Sequence, residues 1–210
     1  MNTSTTTTLQ HKSSTNTHND TIKFDLDKVL DEPPVFNHTA AELQYTPSRQ
    51  YFTAAIEAKY RIDVCTFISL IGQKCSITQM AIAVASIYLH QYLQCISLLQ
   101  YDIYEIGATC LFLAGKVEER RIRIDTIIDT YYKIRAMYIP DRDSNGNAIR
   151  KPVPTSDSIE FDRMRDRMYK HEELLLDCIE YQFDVKYPYT YLIHILKDKI
   201  YGPNYADACM

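Results

Sequence analysis

Residues 110–120 read CLFLAGKVEER, and the reading of this stretch decides the fold. Six apolar or small residues, Cys110 to Gly115, run without a break into Lys116, Val117, Glu118, Glu119 and Arg120. A segment bound for a protein interior therefore ends on a lysine with no turn residue to expose it. Upstream, Asp102 with Glu105 three residues on has the form of a helix start. Ile103, Ile106, Cys110, Leu113 and Val117 then recur at threes and fours, which predicts one helix over residues 102–117. Gly107, Ala108, Ala114 and Gly115 leave room for neighbouring helices to approach closely, so this helix is expected at the centre of the molecule.

Working outward, Ser76-Ile77-Thr78-Gln79 has the form of a capping box. It opens a second central helix to about Leu93, in which Met80, Ile82, Val84, Ile87, Tyr88, Leu89 and Tyr92 go all the way round. Residues 50–73 read as a peripheral helix with Ile56, Tyr60, Val64, Phe67, Ile68 and Ile71 on its apolar face and Glu57, Lys59, Arg61 and Asp63 on the other. A shorter helix carries Ile124, Ile127, Ile128, Tyr131 and Ile134. A charged loop follows over residues 138–157, containing the Asn145-Gly146 pair. The last long helix, roughly Ser158 to Tyr181, has its stripe at Phe161, Met164, Met168, Leu175 and Ile179. At 100° per residue Glu172 falls about 40° from Met168, on the edge of that stripe where a leucine would be expected. Strand signals are absent, so the fold class is all-α, a bundle of five helices. Thr39-Ala40-Ala41-Glu42 suggests a short additional helix before them. Residues 1–33 read as a disordered tail, poor in anything to bury. Residues 34–186 form the bundle, and residues 187–210, with a segment from Thr190 to Ile200, read as the start of a further domain or a C-terminal helix.

Apolar residues make up 46% of the 210 and charged ones 24%, an ordinary globular composition. The net charge is −4, with 23 Lys and Arg scattered among 27 acids, which argues against nucleic acid as the first partner. The six cysteines at 65, 75, 95, 110, 178 and 209 form no CxxC pair and read as small buried hydrophobes in a reducing compartment. No run is long enough to span a bilayer and the N-terminus has no signal-peptide pattern, so the chain is expected to be intracellular and soluble. Five glycines supply no phosphate-cradling loop. His171-Glu172-Glu173-Leu174-Leu175 fails as a zinc-protease helix, because Leu175 stands where the second histidine ligand belongs. No catalytic residue, cofactor or metal site is expected.

With these helices placed, the chain resembles the first box of a cyclin, most closely the transcriptional type represented by cyclins K and T. The matching pieces are TPSR (Thr46 to Arg49), EAKYR (Glu57 to Arg61), IYLHQYL (Ile87 to Leu93), CLFLAGKVEE (Cys110 to Glu119) and EELLLDCIEYQFDVKYPYTYL (Glu172 to Leu192). The resemblance covers roughly residues 34–200 and implies a five-helix cyclin-box bundle whose second box is truncated or absent here. It departs from the pattern where Gln91 follows His90 in place of arginine, and where Arg120-Arg121-Ile122-Arg123 replaces a proline and lysines. What it implies is a non-enzymatic regulatory subunit, in heterodimer with a cyclin-dependent kinase catalytic subunit. That kinase would act on the repetitive tail of RNA polymerase II, hence in the nucleus. Carried over residue by residue, Lys116 and Glu172 would meet the mobile C helix of the kinase, with Leu113, Val117, Leu176 and Tyr181 as apolar contacts. The same helical box also serves general transcription factors as a nucleic-acid-binding core, and a scaffold for protein peptides is the remaining alternative.

Overall fold

The computed structural model describes residues 45–120, 122–138, 141–142, 148–149, 152–185 and 189, all within one compact unit, Pro34–Met210. The expected tail, the Thr39–Glu42 box and the segment from Thr190 to Ile200 lie outside the described residues. Among the described residues five α-helices follow a short 3-10 turn at Pro47–Gln50: α1 (Ala54–Lys74), α2 (Gln79–Cys95), α3 (Ile103–Val117), α4 (Ile124–Tyr138) and α5 (Ile159–Cys178). The all-α expectation holds. Within the expected loop, β1 (Asp141–Arg142) and β2 (Ala148–Ile149) form a small antiparallel ladder pairing Asp141 with Ile149 and Arg142 with Ala148. Two residues per strand give no alternation long enough to read from sequence.

Short polar side chains start the helices. Thr53, Thr78, Asp102 and Ser158 accept from the backbone N–H of Ile56, Ala81, Tyr104 and Phe161, each satisfying a donor that the first turn leaves free. The cap of α2 is Thr78 rather than the expected Ser76. Ser76 has φ 54°, outside the extended region a capping residue needs.

Three helices end alike. After α3, the N–H of Glu119 bonds the carbonyl of Lys116 and the N–H of Arg120 that of Gly115 (3.1 and 2.8 Å), with Glu119 in the left-handed region at φ 55°. This paired 5→2 and 6→1 closure is a Schellman motif. Ser76 and Glu180 occupy the same position after α1 and α5. The greasy run at 110–115 thus needs no glycine after Lys116, because Glu119 takes the left-handed conformation itself.

α3 is the hub, packing against each of the other four helices. Every residue from Ile106 to Gly115 is buried. At Gly107 a Cβ would come within 2.8 Å of Val64 Cγ1, so the absent side chain is what lets α1 lie against α3. The core joins Val64, Phe67, Ile68 and Ile71 of α1 to Tyr88, Leu89 and Tyr92 of α2, Ile127, Ile128 and Tyr131 of α4, and Phe161, Met164, Met168 and Leu175 of α5. The stripes expected for α4 and α5 are all inside.

The first turns of α1 run against expectation. Ile56 and Tyr60, expected on its buried face, are 44% and 39% exposed, whereas Glu57, expected on the polar face, is 2% exposed. The cysteines also differ from the expected burial. Cys110 is fully inside, Cys65, Cys75 and Cys178 are half-buried and Cys95 is exposed.

Candidate functional site

Lys116 and Glu172 are brought together. α3 delivers the lysine in its last turn and α5 delivers the acid from its third quarter. Because the two helices pack, Lys116 Nζ donates to Glu172 Oε1 at 2.6 Å. The lysine side chain is 47% exposed and the glutamate 12%, so the pair stands at the surface with its acid end recessed. Lys116 Nζ also lies 4.2 Å from the centroid of Phe112, one turn back on α3, which restrains the ammonium.

Val117 follows Lys116 at the end of α3 and Leu176 lies one turn after Glu172 on α5; both are half-buried, and Tyr181 is 60% exposed in the turn after α5. Leu113, three residues before Lys116 on α3, is a core residue at 4% exposure. Phe183, unnoticed in the sequence, is 40% exposed in the same turn, between the buried Ile179 and Val185. Glu180 and Tyr181 both have positive φ, 52° and 57°, so the chain reverses sharply here and leaves two aromatic rings outside the bundle.

A second constellation was missed. Glu57 accepts from Thr46 Oγ1 (2.8 Å), Arg49 Nε (2.7 Å), Arg61 Nε (3.1 Å) and Arg61 Nη2 (2.7 Å). Arg61 Nη1 in turn approaches His90 Nδ1 at 3.0 Å, and Ser48 Oγ accepts from the N–H of Leu98. Burial works to raise the Glu57 pKa, but the hydrogen bonds from Arg61, Thr46 and Arg49 outweigh it, and the carboxyl is held below its ordinary value. The network ties the 3-10 turn, α1 and α2 to one carboxylate. A usable signal existed: Glu57 lies seven residues before Val64 and four before Arg61, on the face that Ile68 and Ile71 continue inward. Gln91, at the position where the resemblance calls for arginine, leaves its Oε1 buried with no partner among the described residues.

His171 is 6% exposed and packs edge-on against Tyr101, with ring centroids 5.0 Å apart. Among the described residues no group of three His, Cys, Asp or Glu could hold a metal ion, and no helix is long and apolar enough to cross a membrane.

Comparison with known proteins agrees with this architecture. Residues 35–182 match the family model described as the cyclin N-terminal domain. The chain is 32% identical to cyclin pch1 of Schizosaccharomyces pombe over 133 residues, covering 63% of this chain and 36% of that protein. It is 28% identical to cyclin-T1-2 of Arabidopsis thaliana over 166 residues (79% and 33%) and 29% identical to cyclin-K of Danio rerio over 157 (74% and 33%). The matched stretch spans about a third of the length of each of these relatives. With the family model covering all five helices, the chain belongs to the cyclin family.

Proposed function

We propose that the chain is the regulatory subunit of a cyclin-dependent protein kinase of the transcriptional type, one that phosphorylates the repetitive tail of RNA polymerase II in the nucleus. Residues 34–186 serve as its cyclin box and residues 187–210 begin a second box or a C-terminal helix. The chain does no chemistry of its own. A kinase whose active arrangement is a minor population is shifted toward it, because the cyclin binds that arrangement better. Holding the kinase C helix inward sets its glutamate on the strand lysine, a condition for phosphoryl transfer.

One observation carries the reading: the 2.6 Å pair of Lys116 and Glu172 bridges α3 and α5 at the surface. Lys116 has donor capacity beyond Glu172, and Glu172 has acceptor sites beyond Lys116, so a docked backbone can be gripped at both a carbonyl and an N–H. Leu113, Val117, Leu176 and Tyr181 would supply its apolar contacts.

Replacing Lys116 or Glu172 by alanine removes one partner of a contact that docking desolvates. The expected loss is about 2–5 kcal/mol, or roughly 30- to 5,000-fold in affinity for the cognate kinase. The free protein should keep its fold, since a half-exposed ion pair contributes only about 0–1 kcal/mol. Ile106→Asp is the control for stability, placing a charge at a site 1% exposed, and should unfold the bundle. Titration of a purified transcriptional kinase with the wild type and both alanine variants tests the assignment, and equal affinities across the three would remove it.

A further inference from the structure

At the far end of the bundle two cysteines meet. Cys95 is the last residue of α2 and Cys178 the last of α5, and these helices pack against each other. The Cys95 thiol donates to the backbone carbonyl of Cys178 at 3.8 Å. That carbonyl belongs to the last turn of α5, where no intrahelical N–H is left to reach it. The Cys178 thiol in turn hydrogen-bonds to the Cys95 sulfur. Burial first, and then this neighbouring sulfur, push the Cys178 pKa up to about 12. Capping a helix end accounts for one thiol, and a serine would serve as well. It does not account for a second sulfur at the same spot. Exposure divides the pair, since Cys95 is open to solvent and Cys178 is half-buried. The other described cysteines face different groups: Cys65 Sγ lies 3.9 Å from His90 Nε2, Cys75 Sγ donates to Thr130 Oγ1 at 3.4 Å, and Cys110 is fully buried.

We propose that Cys95 and Cys178 are a peroxide-responsive thiol pair that closes into a disulfide and staples the end of α2 to the end of α5. Hydrogen peroxide reaches the exposed Cys95 first. Its thiolate attacks one peroxide oxygen, the O–O bond breaks, and Cys95 is left as a sulfenic acid. The departing hydroxide recombines with the proton that Cys95 gave up, forming one water. The Cys178 sulfur, already hydrogen-bonded to Cys95, then attacks the Cys95 sulfur. The S–O bond breaks, and the Cys178 proton goes to the leaving hydroxide as a second water. Two thiols and one peroxide thus give one disulfide and two waters, each sulfur losing one electron and the peroxide gaining both. A disulfide requires Cα atoms about 4.4–6.8 Å apart, and a sulfur that touches the other residue's own carbonyl oxygen is within that reach. Because Cys95 is exposed, a small thiol such as glutathione can attack the bond and reopen it. The closed form ties together a loop that contains α3, α4 and α5, so it restricts the unfolded chain and raises the melting temperature.

The test treats the full chain with a small molar excess of hydrogen peroxide, digests it with chymotrypsin in the absence of reductant and maps the peptides by mass spectrometry. Leu93 and Leu98 flank Cys95, and Leu176 and Tyr181 flank Cys178. The expected product therefore joins residues 94–98 to 177–181, lighter than the two peptides by a pair of hydrogens, and disappears with dithiothreitol. The oxidised chain should melt about 5–15 °C above the reduced one. Cys95→Ser keeps a donor for the Cys178 carbonyl, so it should fold as the wild type does and lose both the bond and the shift. Cys178→Ala has no resolving sulfur and should accumulate the Cys95 sulfenic acid, trapped with dimedone. Thiols at both positions that still alkylate after peroxide, a dominant bond to any other cysteine, chain-to-chain dimers through Cys95, or a melting temperature unmoved by the bond would each overturn the proposal.

Discussion

Ser76, Glu119 and Glu180 share an uncommon duty: each holds a left-handed backbone at the end of a helix where glycine would do so without steric cost. A side chain in that region costs roughly 1 kcal/mol through the contact of Cβ with the following carbonyl. Glu119 and Glu180 stand in the turns that follow α3 and α5, the helices that carry Lys116 and Glu172. Ser76 lies between α1 and α2, remote in the chain from both turns, and offers the clean measurement. Ser76→Gly should stabilise the protein by about 1 kcal/mol, raising Tm by roughly 2–4 °C, while leaving kinase affinity unchanged. A differential scanning experiment that finds Ser76→Gly neutral or destabilised would mean that the side chain repays its backbone strain.

α1 is the element whose sequence misleads. Its second half follows the helical period inward through Val64, Phe67, Ile68 and Ile71, but its first two turns place Glu57 in the interior and leave Ile56 and Tyr60 outside. Hydrophobic periodicity measures only how apolar each face is, so it cannot see a face buried by ion pairing. In α2 to α5 the buried residues are apolar apart from Thr109 and His171, and there the stripes and the interior largely agree. The motif pieces TPSR and EAKYR become intelligible once Thr46, Arg49, Glu57 and Arg61 are seen as one network. Removing the carboxylate leaves two guanidiniums facing each other with Arg61 only 15% exposed. Glu57→Ala should therefore destabilise by about 3 kcal/mol, less than a fully buried pair would lose because Arg49 is partly solvated. Arg49→Ala, which removes the more exposed partner, should cost distinctly less. Chemical denaturation of the two variants checks the order.

For the molecule as a whole, the charge pair was within reach of the sequence and a cleft that Lys116 also lines was not. Glu172 falls on the edge of the α5 stripe by helical geometry, and the end of α3 is fixed by its apolar run, so packing those two helices puts acid beside lysine. A cleft lined by Phe112, Ile122, Ile124 and Tyr169 draws on α3, the α3–α4 connection, α4 and α5, and no single periodicity reports a cavity shared by so many elements. Acid sensitivity likewise belongs to the assembled bundle. The His171 pKa is depressed below its ordinary 6.5, first by burial and then by Arg167, with Asp102 opposing and the Tyr101 ring packed beside it. His90 is depressed in the same sense by burial and by Arg61. For a histidine lowered on folding, the unfolded chain takes up the proton first. The stability it contributes is complete above about pH 6.5 and is lost as pH falls. Glu57, lowered from 4.5, contributes stability that is complete above that value and lost below it. Tm should thus be level from about pH 7 to 8, decline below about 6.5, and fall again below about 4.5. His171→Phe keeps the ring against Tyr101 and should shrink the first decline, and adding His90→Asn should abolish it while the second decline persists. Thermal melts across this range decide the matter: a first decline that survives in the double variant would assign it to groups other than these two imidazoles.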